Sequence, residues 1–156
     1  MNLSSDWSEI ALRLFAAIAA GAAIGVNRDL HGKPAGVRLN ALVAMVGALL
    51  MILAEEMARI GDMNAYSRIV QGFIGGIGFL GAGMIIREVD GTRIQNLTTA
   101  ATTLLTASIG VACGLGLWRV GAISALAALV LLTLGLLVDR LLYGRAGPEN
   151  RAEKQP

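Results

Sequence analysis

The sequence predicts an all-α, polytopic membrane protein with five transmembrane helices. Of its 156 residues, 55% are hydrophobic and only 15% are charged, whereas soluble domains carry about 25% charged residues. The mean hydropathy is +0.65. The apolar residues form five runs of about 20 residues, which is the length that crosses a bilayer. No proline lies inside any of these runs.

The first two runs, at about Ile10–Val26 and Arg38–Met57, flank a polar loop that contains Pro34. Arg13 lies near the start of the first run, and Glu9 lies four residues before it, in the favourable order for an ion pair on one helix face. Arg13 therefore has two interpretations. It either snorkels to the membrane interface as an anchor, or it presents a functional charge to the bundle.

The third run, Arg68–Arg87, holds six glycines among the eighteen uncharged residues between its arginines. In water each interior glycine costs about 1 kcal/mol relative to alanine. In a bilayer the backbone must satisfy its own hydrogen bonds, so that a helix is strongly favoured. Glycine then lets another helix approach closely. We therefore expect this helix at the centre of the bundle, beside helices two and four. The predicted helix-packing residues are Gly72, Gly76, Gly78, Gly81 and Gly83.

The last two runs differ in character. The fourth, at about Leu97–Leu117, places Thr99, Thr103, Thr106 and Gly110 on one helix face. These threonines either join helices or line a cation pathway, and we favour the first. The fifth, at about 122–142, is rich in leucine and is expected to face lipid. We predict a transmembrane domain over residues 1–143 and a polar, disordered cytoplasmic tail over residues 144–156.

The distribution of basic residues predicts the orientation of the chain. With five spans, nine lysines and arginines fall on the side that carries the first loop and the C-terminus, and at most four fall on the other side. Basic residues concentrate in cytoplasmic loops. We therefore place the N-terminus outside and the C-terminus in the cytoplasm.

The sequence offers little support for an enzyme or for a cofactor. Gly76–Gly81 matches G-x-G-x-x-G, but it lies within an apolar span and not between a strand and a helix. His31 is the single histidine, and neither H-E-x-x-H nor a P-loop is present. We expect no enzyme, no cofactor and no nucleic-acid partner. Mg²⁺ is possible, although its candidate ligands all lie near the ends of spans: Asp29, Glu55, Glu56, Glu88, Asp90 and Asp139.

A group of polar residues is predicted to meet at the cytoplasmic ends of the spans. These residues are either positive-inside anchors with local salt bridges, or a site for an anionic group, a cation or a partner protein. The candidate functional cluster comprises Asn27, Arg28, Asp29, Arg38, Asn40, Arg87, Thr98 and Thr99.

Three stretches resemble the signatures of the MgtC/SapB membrane family. GVNRDLHGKPAGVRLNALV is similar to the first signature, GGIGFLGAGMIIRE to the second, and LTTAATTLLTASIGVACGLG to the third. The matching positions also include Arg13. The chain departs from the family pattern at Asn27, where glutamate is usual, at Leu39-Asn40 in place of Thr-His, at Asn96 in place of glycine and at Leu104 in place of tryptophan. Two titratable groups are thereby lost.

The resemblance implies a bacterial inner-membrane protein linked to magnesium homeostasis, stress and virulence adaptation, in a short form that lacks the family's cytoplasmic C-terminal domain. Some members are described as inhibitors of the ATP synthase, so that complex is an implied partner. We expect a regulatory or interaction protein, with a cation transporter or channel as the alternative. The lipid bilayer and a second copy in a homodimer are the other expected partners.

Overall fold

The computed structural model describes residues 7–62, 64–87 and 94–143, with the backbone alone at 86–87, 94–95, 136 and 139–143. The candidate ligands Glu88 and Asp90 and the tail over residues 144–156 lie outside the described residues. The described residues form five helices and one antiparallel pair of two-residue strands. The elements are α1 (Trp7–Leu30), α2 (Val37–Arg59), α3 (Ala65–Met84), β1 (Ile86–Arg87), β2 (Ile94–Gln95), α4 (Leu97–Gly114) and α5 (Trp118–Tyr143).

The all-α fold class is confirmed. In the described part of the chain, four helices are long and apolar enough to cross a membrane: α1, α2, α4 and the part of α5 from Trp118 to Gly135. Helix α3 is not among these four, and its polar residues Arg68 and Gln71 lie near its start. That α3 also crosses the membrane, and that the N-terminus lies outside, stay predictions.

Helices α1, α2 and α4 form the centre of the bundle through very close contacts between small residues. A Cβ atom added to Gly114 of α4 would lie 2.5 Å from the carbonyl oxygen of Ala48 in α2. One added to Gly21 of α1 would lie 2.5 Å from the carbonyl oxygen of Asn40 in α2. Gly110 of α4 is likewise packed directly on the backbone of Ala44. Glycine is required here because the helix backbones approach without room for a side chain.

The expectation that the glycine helix lies at the centre is wrong for the single chain. Helix α3 does pack beside α2 and α4, as expected, but at the edge of the bundle. Its contact relies on bulky side chains, since Phe73 and Ile77 pack against Val43 and Ala107. Among the described residues, Gly81 alone of the five predicted packing glycines has a neighbour, with a Cβ position 3.5 Å from the Cβ of Ala100. A Cβ atom at Gly72, Gly76, Gly78 or Gly83 would meet no described atom within 4 Å.

Helix α5 covers α1 and α4 from the outside. Its small residues Ala125 and Ala128 are buried against the central core, which also contains Cys113. Its large apolar side chains, such as Ile123, Leu126 and Leu131, are exposed. This pattern agrees with a helix whose outer face meets lipid acyl chains.

Gly110→Ala is expected to destabilise the protein by about 1–3 kcal/mol, because the added methyl group would overlap the backbone of Ala44. The free energy of unfolding in detergent micelles measures the effect. Gly83→Ala is the matched control, since a methyl group there meets open space. The control should leave stability unchanged or raise it by up to about 1 kcal/mol. Equal stabilities of the two variants would contradict the close contact between α2 and α4.

Candidate functional site

A cavity of about 540 Å³ opens at the end of the bundle where α1 ends and α4 begins. One side is polar and is formed by the end of α1, the following loop and the first turn of α4. The other side is apolar and is formed by α5. We call this space the loop-end pocket. The residues that line it are Asn27, Arg28, His31, Lys33, Asn96, Leu97, Thr98, Thr99, Leu131, Leu132, Leu134, Gly135 and Val138.

Arg28 is the chemically distinctive residue of the loop-end pocket. It lies in the last turn of α1 and is only 5% exposed. Its Nη2 atom donates to Thr99 Oγ1 at 2.5 Å and lies 3.4 Å from the carbonyl oxygen of Pro34. Its Nε atom is buried and has no hydrogen-bond partner among the described residues, and no described carboxylate pairs with the guanidinium. A buried charge without a counter-ion destabilises the folded state, so Arg28 is an energetically unfavourable feature of the pocket.

Two neighbours of Arg28 connect the pocket to its surroundings. The side-chain amide of Asn27 donates to Thr133 Oγ1 on α5 at 3.3 Å. The imidazole Nδ1 of His31 lies 2.7 Å from the backbone carbonyl oxygen of Asn27. His31 and Lys33 both line the pocket, and sequence reasoning left them out of the candidate cluster. Their position between Arg28 and Arg38 in one basic loop was the signal that could have identified them.

Asp29 and Asn40 shape the loop between α1 and α2 and do not line the pocket. Asp29 Oδ2 accepts from the N–H of Val37 at 3.0 Å and so caps the start of α2. The amide nitrogen of the fully buried Asn40 donates to the carbonyl oxygens of Ala35 at 2.5 Å and Gly36 at 3.1 Å. Because Ala35 adopts a left-handed backbone, with φ 62°, these bonds hold the chain in a conformation unfavourable for alanine.

The structure therefore divides the predicted cluster into three groups. Asn27, Arg28, Thr98 and Thr99 line the loop-end pocket together. Asp29 and Asn40 organise the adjoining loop. Arg38 is exposed and does not line the pocket, and the side chain of Arg87, whose backbone lies in β1, is outside the described side chains.

The threonine stripe of α4 is buried at the helix contacts. The hydroxyl of Thr103 donates to the carbonyl oxygen of Thr99 at 3.0 Å. Thr106 Oγ1 lies 2.9 Å from both the carbonyl oxygen of Thr102 and the side-chain oxygen of Asn40 on α2. The hydroxyls are thus engaged with helix carbonyls and a neighbouring helix. This agrees with packing, the interpretation we favoured.

A second polar group joins three helices at the opposite end of the bundle. Arg13 pairs through Nε with Glu9 at 3.0 Å, as predicted, and through Nη1 with Glu55 of α2 at 2.7 Å. The same Nη1 donates to the carbonyl oxygen of Gly114 in α4 at 3.0 Å. Of the two interpretations of Arg13, the structure favours a charge that faces the bundle, and it serves there to connect helices.

Among the described residues, no group of three or more histidine, cysteine, aspartate or glutamate side chains could hold a metal ion. Of the candidate Mg²⁺ ligands, Glu55 is bound to Arg13 and Glu56 to Arg59. Asp29 caps α2. The side chains of Glu88, Asp90 and Asp139 are outside those described.

Comparison with known proteins identifies relatives along most of the chain. A family model described as the MgtC family matches residues 14–141. Protein SrpB of Synechococcus elongatus is 42% identical over 137 residues, which cover 82% of this chain and 75% of SrpB. Protein MgtC of Salmonella typhimurium is 43% identical over 121 residues, which cover 78% of this chain and 48% of MgtC.

A third relative is YhiD of Escherichia coli K12, whose name proposes it as a magnesium transporter. It is 36% identical over 130 residues, which cover 80% of this chain and 60% of YhiD. The chain thus spans about half the length of MgtC and three quarters of the length of SrpB. No solved structure matches the chain at a significant level.

Glu55→Gln is expected to lower the free energy of unfolding by about 1–3 kcal/mol, because it removes the charge that pairs with the largely buried Arg13 side chain. Glu56→Gln is the matched control at the next position, where the partner Arg59 is exposed, and its cost should stay below about 1 kcal/mol. Chemical unfolding in mixed micelles measures both. A larger effect at Glu56 than at Glu55 would refute the role of Arg13 as a connection between helices.

Proposed function

This chain belongs to the MgtC family and is a multi-pass protein of the bacterial inner membrane, and on that premise we propose that it is a regulatory protein of magnesium homeostasis and stress adaptation. It acts by helix–helix contacts within the bilayer and does not carry ions. The relation to MgtC and to YhiD supports the link to magnesium. The contact surface is the uncovered face of α3.

The uncovered glycine face of α3 is the observation that carries this proposal. Gly72 and Gly76, four residues apart, lie on one helix face and have nothing of the described chain within 4 Å. They line an apolar groove of about 590 Å³ between α2 and α3. Two small residues at this spacing are typical of close helix contacts in membranes. We call this surface the α3 groove. Its other lining residues are Leu42, Val43, Val46, Leu50, Arg68, Ile69, Phe73, Ile77 and Leu80, of which Arg68 alone is charged.

A second copy of the chain is the occupant that we propose for the α3 groove. The same glycine pair on two copies is self-complementary, and a two-fold axis through it closes the assembly. The fit would bring two helix backbones into van der Waals contact, which is the main attraction between helices in lipid. By resemblance, a helix of another membrane protein, such as a subunit of the ATP synthase, is the regulatory partner for the dimer.

Several observations disfavour cation transport. Mg²⁺ prefers oxygen ligands and retains much of its water, so a pathway needs polar space between helices. The contact between α2 and α4 is instead closed by backbone packing at Gly110 and Gly114. At the loop end, the buried charge is the cation Arg28, which would repel Mg²⁺. No described side-chain carboxylate lies between the two ends of the bundle.

Gly76→Leu is expected to convert the dimer into a monomer, because the leucine side chain would hold the two backbones apart. The substitution should leave the single chain folded, since nothing lies within 4 Å of this position. The oligomeric mass in detergent, measured by size-exclusion chromatography with light scattering, tests this. Ala82→Leu, at an exposed site of α3 that does not line the groove, is the control. A dimer that survives Gly76→Leu would refute the α3 groove as the contact surface.

Purified chain in proteoliposomes is expected to show no Mg²⁺ flux above that of protein-free vesicles. A Mg²⁺-sensitive dye inside the vesicles measures uptake, and an added ionophore shows that the dye responds. Arg28→Ala serves as the comparison variant. Uptake by the wild type that depends on Arg28 would overturn the proposal and make the chain a transporter.

A further inference from the structure

The loop-end pocket combines a buried cation with an apolar wall, and this combination has no role in the contacts of the α3 groove. Arg28 is only 5% exposed, and its Nε–H has no hydrogen-bond acceptor in the described chain. A buried donor left without a partner costs about 1–3 kcal/mol, and more when it is charged. An anionic ligand beside the guanidinium would supply the counter-charge that the described residues do not provide.

Three further groups make the polar side of the pocket favourable for an anion. Lys33 and His31 come from the loop between α1 and α2. The first turn of α4 begins at Asn96, which has a left-handed backbone and provides no side-chain cap. The first N–H groups of a helix lack partners within the helix and attract anions. None of the described side chains that line the pocket is acidic.

The opposite wall of the pocket indicates what the anion is attached to. Leu131, Leu134 and Val138 of α5 line it, and all three are exposed in the single chain. Gly135 lies among them and leaves space, because an added Cβ there would meet nothing within 4 Å. A free anion would gain nothing from this apolar wall. An amphiphile with a charged head and an acyl chain would contact both sides.

We propose that the loop-end pocket binds the phosphate group of an anionic phospholipid. The guanidinium of Arg28 donates to the phosphate oxygens, a pairing in which arginine forms short, charge-assisted hydrogen bonds. Lys33 and the start of α4 add positive charge around the headgroup. The acyl chain lies along α5 beside Gly135. Basic pockets between transmembrane helices are suited to such headgroups.

The test measures the thermal stability of the full chain in detergent, since a ligand that binds the folded state raises Tm. The probes are dioleoylphosphatidylglycerol, dioleoylphosphatidylcholine and sodium phosphate, each titrated at constant ionic strength. For the wild type we expect a rise in Tm with phosphatidylglycerol that exceeds the rise with phosphatidylcholine. Arg28→Gln should weaken the apparent affinity for phosphatidylglycerol by about 10- to 100-fold, because one charged hydrogen-bonding group is lost.

Three variants keep the result interpretable if Arg28→Gln folds poorly. Lys33→Gln changes an exposed side chain of the pocket and should weaken phosphatidylglycerol binding to a smaller extent. Gly135→Leu fills the apolar side of the pocket, and leucine favours the helix, so this variant should fold but lose phosphatidylglycerol binding. Arg38→Gln removes an exposed arginine that does not line the pocket, and it should bind like the wild type.

Two outcomes would overturn the assignment. If sodium phosphate stabilises the wild type but phosphatidylglycerol has no advantage over phosphatidylcholine, the ligand is a free phosphate and not a lipid. If Lys33→Gln, Gly135→Leu and Arg38→Gln all bind phosphatidylglycerol as the wild type does, the loop-end pocket is not the site of binding.

Discussion

The backbone contact of α2 with α1 and α4 is the constraint on which the rest of the structure depends. Gly21, Gly110 and Gly114 allow these three helices to touch almost without intervening side chains. Such contacts are strong in a bilayer, where no hydrophobic effect drives helices together. They also set the distances over which the polar side chains at each end of the bundle reach one another.

Helix α4 receives a polar connection from a neighbouring helix at three levels. Arg28 of α1 reaches Thr99 at the loop end, and Asn40 of α2 meets Thr106 further along. Arg13 of α1 bonds to the carbonyl oxygen of Gly114 at the other end. The polar atoms of the interior are therefore paired across helices, as is expected where water is scarce. The Nε atom of Arg28 is the buried exception among the described side chains.

Much of the fold could be predicted from composition and spacing, because apolar runs of helical length and the absence of internal proline leave few alternatives. The pair of Glu9 and Arg13 followed from a local rule. The position of α3 could not be predicted in this way. A glycine in the sequence shows only that another helix can approach closely, and the tertiary arrangement decides where this happens. Gly110 and Gly114 contact the backbone of α2, whereas Gly76 contacts no other helix of the described chain.

The polar side of the candidate site could be predicted from the sequence, and its apolar side could not. Asn27, Arg28, Thr98 and Thr99 meet because α1 ends and α4 begins at the same end of the bundle. The apolar wall with Gly135 comes from α5, which is distant in sequence, so no local pattern connects it with Arg28. The different roles of the adjacent residues Arg28, which lines the pocket, and Asp29, which caps α2, could not be predicted either. They depend on the position of the N–H of Val37 in the folded chain.

The two ends of the bundle differ in how their charges are compensated. At one end Arg13, Arg59 and Arg68 each pair with a carboxylate. At the other end Arg28, Lys33 and Arg38 form no described ion pair. Among the described side chains, positive charge without an ion pair is thus more frequent at the loop end, and Arg119 is its one counterpart at the other end. Such charge is sensitive to the voltage across a membrane. A potential that is negative inside favours a cytoplasmic loop end by about 2.3 kcal/mol per uncompensated charge for each 100 mV that the charge would have to cross.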